Sequence, residues 1–226
     1  MVSQELHHPY FPRSLKLPNY VPNTLTAPEI LTIFGGAVAL VGTLAFFAAS
    51  RGRHSVTCRL AITWFVICGC IHLVLEGYFA IFYNVIIADN HFLSQVWKEY
   101  GKADSRYLIA DTFTVTMESL TAFIEGPACV WVAVAHARRG RERHALQLLV
   151  SAWQLYGTVL YFATEAFDGW PHAHAGGRES VYFWTYLVAI NAVWLLVPSL
   201  LIAQAWRRLC DAQCDHDARS DGWKKQ

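Results

Sequence analysis

Five long apolar runs constrain this chain more than any other feature: residues 27–50, 58–83, 112–135, 145–167 and 181–206. A helix needs ~20 such residues to cross a bilayer, and each run reaches that length. A soluble core of 226 residues could not cover five buried apolar helices. Composition agrees, with 54% hydrophobic and 14% aromatic residues against only 15% charged. The expected fold is all-α: a polytopic membrane protein of five transmembrane helices forming one domain over residues 1–226, with a polar tail at 210–226. The lipid bilayer is then an obligatory partner. A net charge of +1 leaves no electrostatic footprint for nucleic acid.

The connections refine this picture. Thr26-Ala27-Pro28-Glu29 reads as a helix cap with an early proline. Residues 1–26 hold Pro9, Pro12, Pro18 and Pro22 and no basic region before an apolar run. They read as an irregular arm lying on the membrane surface through Tyr10, Phe11 and Tyr20, not a cleavable signal. In the connection 84–111, Phe92, Val96 and Tyr100 mark one face of an amphipathic helix, placed along the interface or over the bundle mouth. The connection 168–180 reads as a flexible loop and the tail beyond Leu209 as disordered. With an odd number of spans the termini lie on opposite sides. Twelve Lys and Arg fall on the side of residues 51–59, 138–143 and the tail, against six on the other. The first side is therefore expected to be cytoplasmic and the N-terminus lumenal.

Polar groups inside the spans are few. His72 and Glu76 lie four residues apart in a run, 60–83, with no other charged side chain. At helical spacing they share a face, one turn apart, roughly 6 Å along the axis. The third span adds Glu118, Thr121 and Glu125, the fourth Gln154, Tyr156, Tyr161, Thr164 and Glu165, and the fifth Tyr186, Asn191 and Trp194. Their depths let them meet in the non-cytoplasmic half of the bundle. No Lys or Arg lies deep in a span. Several carboxyls sharing a dry cavity with one imidazole must hold protons or meet a cation. That suits proton transfer on an apolar molecule through a cationic intermediate, with the Trp194 indole facing the positive charge.

Some of these residues have plainer readings. His72 with Glu76 could be an interhelical clasp, Glu125 a kink partner before Gly126-Pro127, and Asn191 packing glue. Tyr83 and Tyr161 suit an interfacial belt, and Glu165 a solvated helix end. The six cysteines read as free thiols, because none has zinc-ligand spacing to nearby histidines.

The chain resembles the emopamil-binding-protein family of sterol Δ8–Δ7 isomerases. The resemblance rests on His8-Pro9-Tyr10, Val21-Pro22-Asn23 and Ile71-His72-Leu73-Val74-Leu75-Glu76-Gly77. The run from Trp97-Lys98-Glu99-Tyr100 to Asp104-Ser105-Arg106-Tyr107 is long and specific. Met117-Glu118-Ser119-Leu120-Thr121, Gln154-Leu155-Tyr156-Gly157, Tyr182-Phe183-Trp184 and Asn191-Ala192-Val193-Trp194 also match. The resemblance implies a sterol cavity enclosed by five helices. It implies catalytic His72, Glu76 and Glu118, with Thr121, Asn191 and Trp194 binding substrate and stabilising a carbocation. Glu125 and Tyr107 are added as further cavity residues; Glu125 is not in the family's set. The implied reaction protonates C9 and removes a proton from C7, and needs no cofactor or metal. A Δ8 sterol is the implied substrate, cationic amphiphilic amines the implied inhibitors, and a homodimer is compatible. Residence in the endoplasmic reticulum follows from the resemblance, because Lys224-Lys225-Gln226 does not place lysines as a dilysine signal requires. Two other readings stay open: a non-catalytic sterol- or amine-binding relative, and a proton-coupled transporter, which the lack of internal repeats disfavours.

Overall fold

In hydrocarbon every backbone polar group needs an internal partner, so apolar runs of this length fold as helices. The computed structural model describes residues 8–173 and 181–223, with side chains up to residue 220. Among these residues there is no strand. The helices are α1 (Ala27–Ser50), α2 (Val56–Phe82), α3 (Phe92–Tyr100), α4 (Thr112–Ala137), α5 (Arg143–Phe167) and α6. Helix α6 opens with a π-helical stretch, Tyr182–Ile190, and continues as Asn191–Trp223. Helix α1 begins as its sequence predicts: the Thr26 backbone N–H and hydroxyl both donate to Glu29 at 2.8 Å. Asp111 caps α4 by accepting from the Thr114 N–H at 2.9 Å.

Among the described residues four segments are long and apolar enough to cross a membrane: Ala27–Ser50, Val56–Phe82, Thr112–Ala137 and Tyr182–Ser220. Helix α5 has 25 residues, long enough to span, but its buried face is polar. Gln147, Ser151, Gln154, Thr158, Tyr161 and Glu165 recur every three or four residues and are all buried. Elsewhere large apolar side chains such as Leu40, Leu44 and Phe47 of α1 point outward, as in a bundle solvated by lipid.

Helices α2 and α4 approach closely where they cross at Gly126. A Cβ on Gly126 would lie 3.0 Å from Leu73 Cγ and 3.1 Å from His72 Cβ. Glycine there lets the two backbones approach, which brings the His72 and Glu125 turns together. Both turns are π-helical, Ile71–Glu76 and Thr121–Glu125, and such local widening recurs at functional sites.

One mouth of the bundle is closed by α3, the 3₁₀ turn Ser105–Leu108 and the N-terminal arm. The arm, expected on the membrane surface through Tyr10, Phe11 and Tyr20, packs on the bundle. Tyr10 is buried against Ile87 and Leu108. Gln95 Oε1 accepts the backbone N–H groups of Thr24 and Leu25 at 2.9 and 2.8 Å, and Ser105 donates to the Phe11 carbonyl at 2.6 Å. Polar backbone that would otherwise lack partners thus draws the arm onto α3. Of the two placements considered for α3, the structure shows the one over the mouth: Ser94 to Glu99 are all buried.

Three further expectations are overturned. Tyr161 is no interfacial belt residue; it is buried and donates to Asp104 Oδ2 at 2.6 Å. Glu165 is not solvated; it is buried and accepts the N–H groups of His172 and Ala173 at 2.6 and 2.9 Å. The tail, expected to be disordered, continues α6 as helix to Trp223 with residues 210–220 exposed, and residues 224–226 lie outside the described residues. A helix already nucleated within the span extends at one hydrogen bond per residue, which explains the continuation. The loop expected at 168–180 is described only to Ala173; Gly176, Gly177 and Arg178 lie outside the described residues.

Candidate active site

All eight residues singled out from the sequence line one cavity of about 230 Å³. His72 and Glu76 come from α2, Tyr107 from the 3₁₀ turn, Glu118, Thr121 and Glu125 from α4, and Asn191 and Trp194 from α6. Ile30, Leu31 and Phe34 of α1 and Trp153, Gln154 and Thr158 of α5 complete the wall. Among the described residues no lysine or arginine lines it.

His72 Nδ1 and Glu76 Oε2 are 2.6 Å apart. A carboxylate at Nδ1 takes the ring N–H, which leaves the Nε2 lone pair facing the interior. Nε2 lies 3.7 Å from Glu125 Oε1, too far for a hydrogen bond, and both atoms are buried without a partner. The interhelical-clasp reading of His72 with Glu76 falls away, because the pair is made within one helix. Glu118 accepts from the Tyr107 hydroxyl at 2.7 Å. Burial, then the nearby Glu118, pushes the Tyr107 phenol well above its ordinary pKa, so it stays a donor. The Thr121 hydroxyl donates to the Glu118 carbonyl at 3.0 Å. Asn191 Nδ2 donates to the Tyr100 hydroxyl and the Leu187 carbonyl, both at 2.8 Å. Trp194 packs on Trp64 with ring centroids 5.5 Å apart.

Around the mouth stands a network whose place in the site sequence reasoning missed, and one member, Trp97, lines the cavity itself. Trp97 stacks on Tyr107 at 4.7 Å, and its indole N–H donates to the Leu75 carbonyl in the π turn at 3.0 Å. Arg106 pairs with Asp104 at 2.6 Å, lies 3.5 Å from Glu165 and donates to Thr164 at 3.1 Å. Asp104, Arg106 and Glu165 are each at most 3% exposed. This buried network holds Tyr107 over Glu118 and fixes the mouth to α5. Lys98, also fully buried, donates to the Val21 and Asp89 carbonyls and Asn90 Oδ1 at 2.7–2.8 Å. The charged Trp97–Tyr107 run is therefore interior, though its composition reads as surface loop. The density of charge beside aromatics was the available signal.

An apolar helical bundle enclosing a carboxyl-rich cavity defines a class, that of multi-pass membrane proteins with an intramembrane polar site. Residues 92–205 match the model of EXPERA, the expanded EBP superfamily. The chain is 45% identical to "3-beta-hydroxysteroid-Delta(8),Delta(7)-isomerase" of Mus musculus over 220 residues, 94% of this chain and 93% of that one. It is 44% identical to the protein of the same name from Rattus norvegicus over 91% of this chain and 90% of that one. With "Probable 3-beta-hydroxysteroid-Delta(8),Delta(7)-isomerase" of Arabidopsis thaliana it shares 37% over 92% of each. The chain belongs to this family.

Proposed function

We propose that this chain is a sterol Δ8–Δ7 isomerase, an enzyme that moves the ring B double bond from C8–C9 to C7–C8. The observation that carries the reading is the cavity: His72, Glu76, Glu118 and Glu125 converge with an indole in an apolar bundle, and among the described residues no lysine or arginine lines it. A proton added at C9 leaves a cation at C8, and loss of a proton from C7 forms the new double bond. One proton is taken and one returned, so the enzyme needs no net oxidant, reductant or hydrolytic water. Glu118 and the His72–Glu76 pair are the acid–base groups in this reading. Trp194 offers its face to the cation and Asn191 and Thr121 position the ring system. Tyr107 orients Glu118, and Glu125 adds a further carboxyl. Leu31 and Trp153 line the cavity and carry exposed surface, so the sterol enters from the lipid between α1 and α5.

The same cavity accounts for cationic amphiphilic amines as inhibitors, since an ammonium would stand where the carbocation forms. The excess of basic residues on one face supports a cytoplasmic C-terminus and an N-terminus in the lumen of the endoplasmic reticulum. The test is expression in yeast lacking its own Δ8–Δ7 isomerase, followed by sterol profiling. Conversion of Δ8 to Δ7 sterols is expected. Persistent Δ8 sterols beside folded, expressed protein would favour the non-catalytic binding reading instead.

A further inference from the structure

Where α2 crosses α4, the cavity wall holds an arrangement that proton transfer at Glu118 does not use. His72 Nε2, a Glu125 carboxylate oxygen and Cys129 Sγ lie within 4.8 Å of one another. His72 is 3% exposed, Glu125 7% and Cys129 not at all. Nε2 and Glu125 Oε1 face each other 3.7 Å apart, and among the described residues neither has a hydrogen-bond partner. Two buried acceptors so placed repel unless a proton or a metal ion fills the gap. Glu125 and Cys129 are four residues apart on α4, so one helical face presents both.

We propose that His72, Glu125 and Cys129 form a site for a zinc-class divalent ion, its fourth position open to the cavity. Two of the three ligands already have orienting partners. Glu76 holds His72 Nδ1 at 2.6 Å, the carboxylate–histidine arrangement that steadies a metal-bound imidazole. Gln154 Nε2 donates to Cys129 Sγ at 3.7 Å and is itself fixed by Trp64 Nε1 on its Oε1 at 3.1 Å. In a tetrahedral zinc site the ligand atoms stand roughly 3.3–3.7 Å apart, so the nitrogen–oxygen pair is in place and the thiol closes in by about 1 Å. Carboxylate, thiolate and neutral imidazole balance a divalent ion, so the ion with its three ligands is neutral. Nitrogen and sulfur donors select zinc-class ions over magnesium or calcium. An ion there takes the Nε2 lone pair and so blocks His72 from moving protons. That inhibition rests on the isomerase reading; the binding does not.

The test uses tag-free, detergent-purified full chain in which the exposed Cys70, Cys210 and Cys214 are replaced by serine. Cobalt(II) is titrated in and displaced with zinc. One ion per chain is expected, with the near-ultraviolet thiolate-to-cobalt band of a four-coordinate site. Cys129→Ser should remove that band, weaken binding about tenfold or more and relieve zinc inhibition, while metal-free turnover and the melting curve stay those of the parent. Glu125→Gln should weaken binding in the same way, which keeps the test valid if the serine variant does not fold. A folded parent without the thiolate band, or binding unchanged in both variants, overturns the site. Full turnover with zinc bound overturns the inhibition alone. A thiolate band in a chain that converts no sterol supports the site and overturns the isomerase reading.

Discussion

His72 has a carboxylate beside each ring nitrogen, Glu76 at 2.6 Å and Glu125 at 3.7 Å. Removing the ring by His72→Ala, or the acid by Glu118→Gln, should lower sterol turnover about 10²–10⁴-fold, the usual worth of a positioned acid or base. Sterol binding and the melting curve should persist; near-normal Δ7 product from either variant would refute the assignment. Tyr107→Phe removes one donor from Glu118, and we expect a loss of about tenfold, close to one hydrogen bond to a charged group. Glu125→Gln should cost less than Glu118→Gln in metal-free assays. At this scale the sequence was informative because an ionisable side chain in an apolar run is conspicuous. His72, Glu76, Glu118 and Glu125 all stood out in that way. Cys129 did not, since thiols are common in apolar cores and its partner His72 is on another helix. Its four-residue spacing from Glu125 was legible; the crossing that completes the set was not.

The helices themselves follow hydropathy, and α1, α2, α4 and α6 appear close to where the apolar runs predict them. Helix α5 was harder to judge, because its buried face is a polar stripe facing other helices. What hydropathy cannot show is how near two helices come, and here glycine decides it. Gly126→Ala forces a methyl against Leu73 and His72 and should destabilise the bundle by about 1–3 kcal/mol. A larger fall in turnover than in stability would mark the crossing as part of the site. The mouth is held by charge. Arg106→Met leaves Asp104 and Glu165 buried without their cation and should cost about 3–5 kcal/mol, read from denaturation in detergent. Asp89, outside the spans, is held below the ordinary carboxylate pKa, first by the Ser94 hydroxyl at 2.6 Å and then by the His91 N–H and the Tyr78 hydroxyl. A depressed folded pKa gives stability that is complete above the unfolded value of ~4 and is lost as pH falls through the folded value. The Tm gap between the parent and Asp89→Asn should therefore narrow as the pH is lowered below about 4.

Viewed whole, the molecule is a bundle whose carboxyl-lined chamber lies beneath a built-up mouth. Its closure was the least legible part, because buried Lys98, Asp104 and Arg106 and the prolines of the arm all imitate solvent-exposed loop. The arm is tied to α3 by bonds reaching 70–72 residues along the chain, from Asn23, Thr24 and Leu25 to Gln95. Synthesis makes the arm first and its partners only after two further helices. For that interval the arm has nowhere to dock. Once α3 has emerged, arm and α3 are both present before α4, α5 and α6 bring Glu118, Glu125, Asn191 and Trp194, so the roof can form ahead of most of the walls it will cover.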